Sequence, residues 1–222
     1  LKESFGKNEN FVFKRIENGP DKEGIRNFIR DLFIYDGIRG IQYCGEKTTI
    51  LAEQLVDLPR YKGMDEIEIP VTNPNVIKWL YLARQLGKLN TKDKKTLSQV
   101  YLYQFYEALK TAKFIAPMRL HGYDQLLEDN PQTEIEPNIP FDLAMQPGKT
   151  KERTLKVYTD WKRLRKHHGE DCKALIVTLD EPLAFHDVVI NPGDHPMAAA
   201  TITEEWYNEV KRKTDSIRKA TP

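Results

Sequence analysis

Polar side chains that could bind a small molecule stand where apolar, strand-like runs end in the last third of the chain. Phenol, hydroxyl, carboxylate and imidazole groups can exchange protons, and α/β folds usually place ligands at strand ends. A ligand-binding or enzymatic site is therefore one hypothesis for the function. Its residues would be Tyr158, Thr159, Asp160, His186 and Asn191.

The same residues also have structural interpretations. Asp160 directly precedes Trp161 and suits the N-cap of a short helix. Asn191-Pro192 is typical of a turn in which the asparagine side chain bonds local backbone. The pairs His186-Asp187 and Asp194-His195 put an imidazole beside a carboxylate, but neighbours in a strand point to opposite faces. No phosphate loop or nucleophile elbow accompanies them, so we assign no catalytic residue.

His167, His168 and Cys172 are the cluster of side chains best suited to ligate a metal. A structural zinc site needs four ligands, so Cys44 or His186 would have to complete it. We predict neither a metal nor a cofactor. Two widely separated cysteines favour reduced thiols and a cytoplasmic protein. Because the first residue is not Met, a cleaved leader is an alternative.

Charge does not point to nucleic acid or to a membrane. The 222 residues include 34 basic and 33 acidic side chains, for a net charge of +1. No apolar run reaches the roughly 18 residues of a membrane span. A basic run could contact nucleic acid or an acidic protein, or be neutralised internally by the acidic stretch, and its adjacent histidines are typical of the solvated end of a basic helix. Trp161 is its single aromatic and has a spacing that suits burial, so we do not assign a nucleic-acid site. The run comprises Lys162, Arg163, Arg165, Lys166, His167, His168 and Lys173.

Residues 120–148 form an acidic, proline-punctuated stretch without Lys or Arg. We interpret it as a long loop with one short strand at 141–145, and an acidic face for a basic partner is the alternative. Its carboxylates are Asp124, Glu128, Asp129, Glu134, Glu136 and Asp142.

Strands and helices alternate irregularly, which predicts an α+β fold, or α/β with a mixed sheet, in which helices flank mixed sheets. Apolar periodicity and turn residues place the elements, and Asn73-Pro74 suits the start of a helix. Pro117 argues for an edge position of its strand. The predicted strands cover 11–16, 38–43, 48–51, 67–71, 114–118, 155–158, 174–179 and 187–190, and the predicted helices cover 21–32, 74–86, 90–112, 161–164 and 202–217.

A boundary is expected near Gly87, between an N-terminal α+β unit of residues 1–88 and a second unit of residues 89–222. Both units end a strand with Asn-Pro, so two α/β units related by duplication are an open alternative. The first unit matches no family that we can name.

Four short motifs of the second unit form a recognisable series: Gln104–Leu109, Phe114–Pro117, Val157–Trp161 and Val188–Pro192. In this order they resemble the N-terminal domain of the SseB family, the bacterial family named for enhanced serine sensitivity, over about residues 92–208. The resemblance implies an α/β regulatory or interaction module without an established catalytic site. It identifies no functional residue in this chain.

Together these features favour a non-enzymatic interaction or regulatory module whose partner is a protein, bound heterologously or by self-association. The distinctive residues have packing, cap or turn roles, and acidic and basic segments suit a protein partner. The small-molecule or enzymatic hypothesis, centred on Tyr158, Asp160 and His186, is the first alternative. An antagonist of a toxin is the second.

Overall fold

The computed structural model describes residues 22–42, 48–88, 93–121 and 139–220. Within them, six α-helices flank two- to four-stranded sheets, so the predicted α+β class is confirmed. The helices are α1 Lys22–Asp36, α2 Pro74–Lys88, α3 Lys94–Thr111, α4 Trp161–His168, α5 Asp180–Phe185 and α6 Glu204–Ala220. The strands are β1 Gly40–Gln42, β2 Thr49–Leu51, β3 Phe114–Leu120, β4 Phe141–Leu143, β5 Met145–Pro147, β6 Arg153–Val157, β7 Ala174–Val177, β8 Asp187–Ile190 and β9 Ala200–Ile202.

The first helix and hairpin follow the sequence prediction closely. Helix α1 runs four residues beyond the predicted end and stops at Gly37, whose φ of 68° lies in the left-handed region. A Cβ there would lie 2.1 Å from the carbonyl oxygen of Pro74, so only glycine fits. Strands β1 and β2 pair antiparallel as expected. The predicted strand 11–16 lies outside the described residues.

The strand predicted over 67–71 is wrong. Residues Glu66–Glu68 form a 3₁₀ turn in which the amide of Ile69 bonds the carbonyl of Glu66 at 3.3 Å. Pro70 cannot donate to a sheet ladder, and no described strand pairs with this segment. The segment instead leads into α2, whose residues Val76, Ile77 and Leu80 are buried.

Residues 141–147 join two sheets. Sheet β4-β3-β7 is antiparallel, and sheet β5-β6-β8-β9 contains one parallel pair, β6 with β8. Between β4 and β5, the amide of Ala144 donates to Pro117 at 2.9 Å and its carbonyl accepts from Lys156 at 3.0 Å. Ile115 and Tyr158 then exchange two backbone hydrogen bonds of 2.9 and 2.8 Å. The single predicted strand 141–145 is therefore two strands that pair with different neighbours.

Strand β3 is central, so the edge position predicted from Pro117 is wrong. The strand pairs with β4 on one side and with β7 on the other. Met118 donates to Lys173 at 2.9 Å, and hydrogen-bonded pairs alternate along an antiparallel ladder. The nitrogen of Pro117 therefore faces away from β7. It faces the other side of β3, at the position between the part of β3 that pairs with β4 and the part that lies beside the end of β6. The Pro117 carbonyl is satisfied by Ala144, so the missing donor breaks no ladder bond.

One core contains residues from α2, α3, α6 and both larger sheets, among them Ile77, Leu109, Val157, Val188 and Tyr207. Helix α2 from the predicted first unit and several described elements of the predicted second unit thus share a hydrophobic cluster. The predicted boundary at residue 88 stays a prediction. None of the helices in the described ranges is long and apolar enough to cross a bilayer.

The C-terminal block follows the predicted order of strand, helix, strand and strand. Helix α5 and strand β9 were missed, because six- and three-residue elements are too short to show periodicity. Helix α6 begins at Glu204, where the hydroxyl of Thr203 accepts from the amide of Trp206 at 3.2 Å.

Candidate functional site

The structure brings together four of the five residues of the predicted ligand site. Strands β6 and β8 are parallel neighbours, so Tyr158-Thr159-Asp160 and Asn191 meet at their carboxyl ends. The amide of Thr159 donates to Oδ1 of Asn191 at 2.9 Å, and the amide of Asn191 donates to Val157 at 2.8 Å. All four predicted residues are buried there.

His186 is not part of this cluster. It directly precedes β8, whereas Asn191 directly follows it, so the four-residue strand separates them by about 16 Å at 3.3 Å per residue. The adjacent Asp187 is buried and bonds the amide of Thr150 at 3.1 Å and its hydroxyl at 2.6 Å. The carboxylate beside His186 therefore holds the loop before β6.

Two asparagine side chains satisfy the backbone of Thr159. Asn191 accepts from its amide, and Nδ2 of Asn73 donates to its carbonyl at 2.9 Å and to that of Lys113 at 2.6 Å. Nδ2 of Asn191 donates to Ala198 at 3.0 Å. Asn191 thus joins two strand ends, and the predicted turn with purely local side-chain bonding is wrong in that respect. Its φ of 50° is one that asparagine tolerates.

Arg163 lies behind Asp160 and binds three carboxylates. Its side chain, 7% exposed, contacts Asp160, Asp36 at 2.6 Å and Asp194 at 2.9 Å. It also donates to the carbonyl of Tyr35 at 3.1 Å. We call Arg163, Asp36, Asp160 and Asp194 the Arg163 cluster. The interpretation of Arg163 as part of a solvated basic run is wrong, because this cluster ties α1, α4 and the loop after β8 together.

Helix α4 has the predicted cap. Oδ1 of Asp160 accepts from the amide of Arg163 at 2.9 Å, while its other oxygen pairs with the Arg163 guanidinium. One carboxylate therefore starts the helix and anchors its first turn.

Electrostatic interactions stabilise the charged forms of Arg163 and Asp194 in the Arg163 cluster. Burial alone would lower the pKa of Arg163, but Asp160 and Asp36 outweigh it and raise that pKa. Burial alone would raise the pKa of Asp194, but the hydrogen bond from Lys166 and the charge of Arg163 hold it below its usual range. Burial, and then the negative charge of Asp36, raises the pKa of Tyr81, which donates to that carboxylate at 3.1 Å.

Tyr158, the remaining strand-end residue, lies between the rings of two histidines. Its ring stacks on His167 at 5.8 Å between centroids and meets His168 edge-on at 5.4 Å. Its hydroxyl lies 3.0 Å from Nε2 of His168, and burial raises its pKa to about 12. His167 packs against Gly193, where a Cβ would lie 3.1 Å from the ring.

These side chains bond to one another and to the backbone, and so hold distant segments of the chain together. The donors and acceptors of Thr159, Asp160, Arg163 and Asn191 are directed at one another and are buried. Within the described residues, no group of three or more His, Cys, Asp or Glu side chains is placed to hold a metal ion. Cys172 is a free thiol whose Sγ lies 3.3 Å from the carbonyl of Lys173, and Cys44 is outside the described residues.

Sequence reasoning missed Asp36, Asp194 and Asn73 as members of this network. The one local signal is that each stands beside a turn or a helix end, which says nothing about which distant group it meets. The pairing of Asp36 with Arg163 joins positions 127 residues apart, and no periodicity predicts it.

A second feature lies at the far side of the sheets, where β7 is an edge strand among the described residues. Its register with β3 directs the backbone of Leu175 and Val177 to β3 and that of Ala174 and Ile176 outward. The outward groups of Ala174 and Ile176 bond to no described residue, and Ile176 is 46% exposed. We call these outward groups and the Ile176 side chain the β7 edge.

The opposite edge is better protected. Strand β9 is only three residues long, and the guanidinium of Arg84 donates to the carbonyl of Ala199 beside it at 3.3 Å. Proteins usually blunt edges with charges, Pro or bulges, and β7 contains no charged residue and no Pro.

Most of the acidic stretch predicted over 120–148 lies outside the described residues. Of its carboxylates, Asp142 is described, in β4, where it lies 2.8 Å from Nε2 of His121.

No protein-family model, curated protein or solved structure matches this chain. The likeness to the SseB family therefore stays a prediction from the four motifs.

Proposed function

We propose that this chain is a protein-interaction module that binds an extended segment of a partner by adding it as a strand to β7. The supporting observation is the β7 edge, where the outward backbone groups of Ala174 and Ile176 bond to no described residue and the Ile176 side chain is exposed. Strand addition uses backbone hydrogen bonds for affinity and alternate side chains for specificity. It needs no catalytic group, in keeping with the interaction role expected from the resemblance to the SseB family.

The strand-end hypothesis has weaker support. Its groups at Thr159, Asp160 and Asn191 are engaged with one another, so a ligand would have to displace internal bonds. Small-molecule binding there, and toxin antagonism, stay predictions of the sequence.

Strand addition can be tested with a synthetic peptide of three Val-Thr repeats between serine pairs, added to the isotope-labelled protein. We expect the amide protons of Ala174 and Ile176 to become protected from exchange, because they point outward. Those of Leu175 and Val177 should be protected already, because they pair with β3. Protection elsewhere, or none at millimolar peptide, would refute the proposal.

A matched pair of variants separates backbone from side-chain effects. Ile176→Pro removes the outward donor without touching the β3 ladder, and should abolish binding. Ile176→Thr keeps the backbone donor and a β-branched side chain, and should keep most of the peptide binding. Protected Leu175 and Val177 amides in both variants verify that β7 remains paired with β3.

A further inference from the structure

The sequence on either side of the β7 edge is acidic. Glu170 and Asp171 precede the strand, Asp180 and Glu181 follow it, and all four are exposed. Lys173 is the single basic residue between positions 170 and 181. We call Glu170, Asp171, Asp180 and Glu181 the acidic flanks.

The acidic flanks are only partly neutralised within the chain. Glu170 lies 3.5 Å from Arg165 but is 82% exposed, so water screens that pair. Asp171 and Glu181 have no ion-pair partner in the described structure. Two negative ends therefore bracket an apolar strand about 13 Å long, at 3.3 Å for each of its four residues.

We propose that the partner segment, bound as the preceding section proposes, is an apolar extended stretch with Lys or Arg at both ends. Four or five residues would pair with β7, and the basic ends would lie beside the acidic flanks. Opposite charges at the two ends favour encounter and fix the register of the added strand.

The same charges disfavour a second copy of this chain as the occupant. Asp171 precedes Ile176 by five residues and Glu181 follows it by five. Antiparallel self-pairing centred on Ile176 would therefore bring the acidic ends of the two copies together. Like charges in direct opposition are destabilising.

Three labelled peptides with the same Val-Thr core test this inference by fluorescence anisotropy. Their flanking pairs are Lys-Lys, Ser-Ser or Glu-Glu. We expect the Lys-flanked peptide to bind about tenfold more tightly than the Ser-flanked one in low salt, with the Glu-flanked one weakest. The difference in affinity between the Lys- and Ser-flanked peptides should shrink at 0.15 M salt, because salt screens the exposed acidic flanks.

Charge-reversed protein gives the matched control. The double variant Asp171→Lys/Glu181→Lys should lose or invert the order of the three peptides while leaving β7 intact. Equal affinity for Lys- and Ser-flanked peptides, with both lost in Ile176→Pro, would overturn the charge inference alone. Binding of the Lys-flanked peptide that survives Ile176→Pro would overturn strand addition as well, because it would be unspecific charge attraction.

Discussion

Arg163 and Asp36 form a buried ion pair, with Nη2 2.6 Å from Oδ1, although 127 residues separate them in the chain. The pair fastens the end of α1 to the first turn of α4. Breaking a buried pair costs far more than breaking an exposed one, since it leaves a charge without water or partner.

Replacing Arg163 should destabilise the protein strongly. In Arg163→Met the carboxylates of Asp36, Asp160 and Asp194 lose their shared cation, and we expect the free energy of unfolding to fall by about 3–5 kcal/mol. Urea denaturation followed by circular dichroism measures this loss. The control is Arg165→Met on the same helix, whose pair with Glu170 is exposed, with an expected loss of at most about 1 kcal/mol. Equal losses in the two variants would show that the cluster is not a stabilising clamp.

Asn191 combines a left-handed backbone with three side-chain hydrogen bonds, two accepted from Thr159 and one donated to Ala198, and two substitutions separate these roles. Asn191→Gly keeps the φ of 50° accessible but abandons the bonds to Thr159 and Ala198, at a cost of about 1–3 kcal/mol. Asn191→Ala should cost roughly 1 kcal/mol more, because a Cβ disfavours that φ. Thermal and urea unfolding give both values. An alanine variant as stable as the glycine variant would contradict the backbone part of this account.

Stability should decline in acid partly through Asp194. Its pKa is lower in the folded protein than the unfolded value of about 3.9, because Lys166 and Arg163 outweigh burial. Its contribution is therefore fully present above about pH 5, where the unfolded carboxyl is also ionised, and is lost as the pH falls through the lower folded pKa. Unfolding free energies measured from pH 7 to pH 2 should fall less steeply in Asp194→Asn.

Asp171→Asn is the matched control for this acid titration, because Asp171 is exposed and has no described ion pair. It should reproduce the decline of the unsubstituted protein. Part of the decline should persist in Asp194→Asn, since the hydrogen bonds from Thr150 outweigh burial and lower the pKa of Asp187 too. If the unfolding free energy of Asp194→Asn falls in acid as steeply as that of the unsubstituted protein, Asp194 does not contribute to the decline.

Local patterns predicted most helices and strands of the described residues. The apolar period placed α2, α3 and α6, and Asp160 before Trp161 predicted the cap of α4. The failures share a cause. The run 67–71 looked like a strand but pairs with none of the described strands. Pro117 suggested an edge, although its strand has neighbours on both sides and its nitrogen faces the point between β4 and β6. Strand pairing is a tertiary property that side-chain periodicity does not encode.

For the candidate site, the sequence indicated the strand ends but not their grouping. Tyr158, Thr159, Asp160 and Asn191 meet because β6 and β8 are parallel neighbours, and His186 is excluded because it stands at the other end of β8. The edge position of β7 among the described strands could not be predicted either, because it depends on the order of the strands in the sheet.

The sequence by itself determined the α+β class, the helix cap at Asp160, the core character of Val188–Ile190 and the acidic flanks of β7. These depend on residue types and on neighbours a few positions away. Only the tertiary structure decided that Arg163 is buried among three carboxylates and that β7 is an edge strand among the described strands. Both depend on contacts between segments distant in the chain, because burial brings the carboxylates to Arg163 and the order of the described strands places β7 at the end of its sheet.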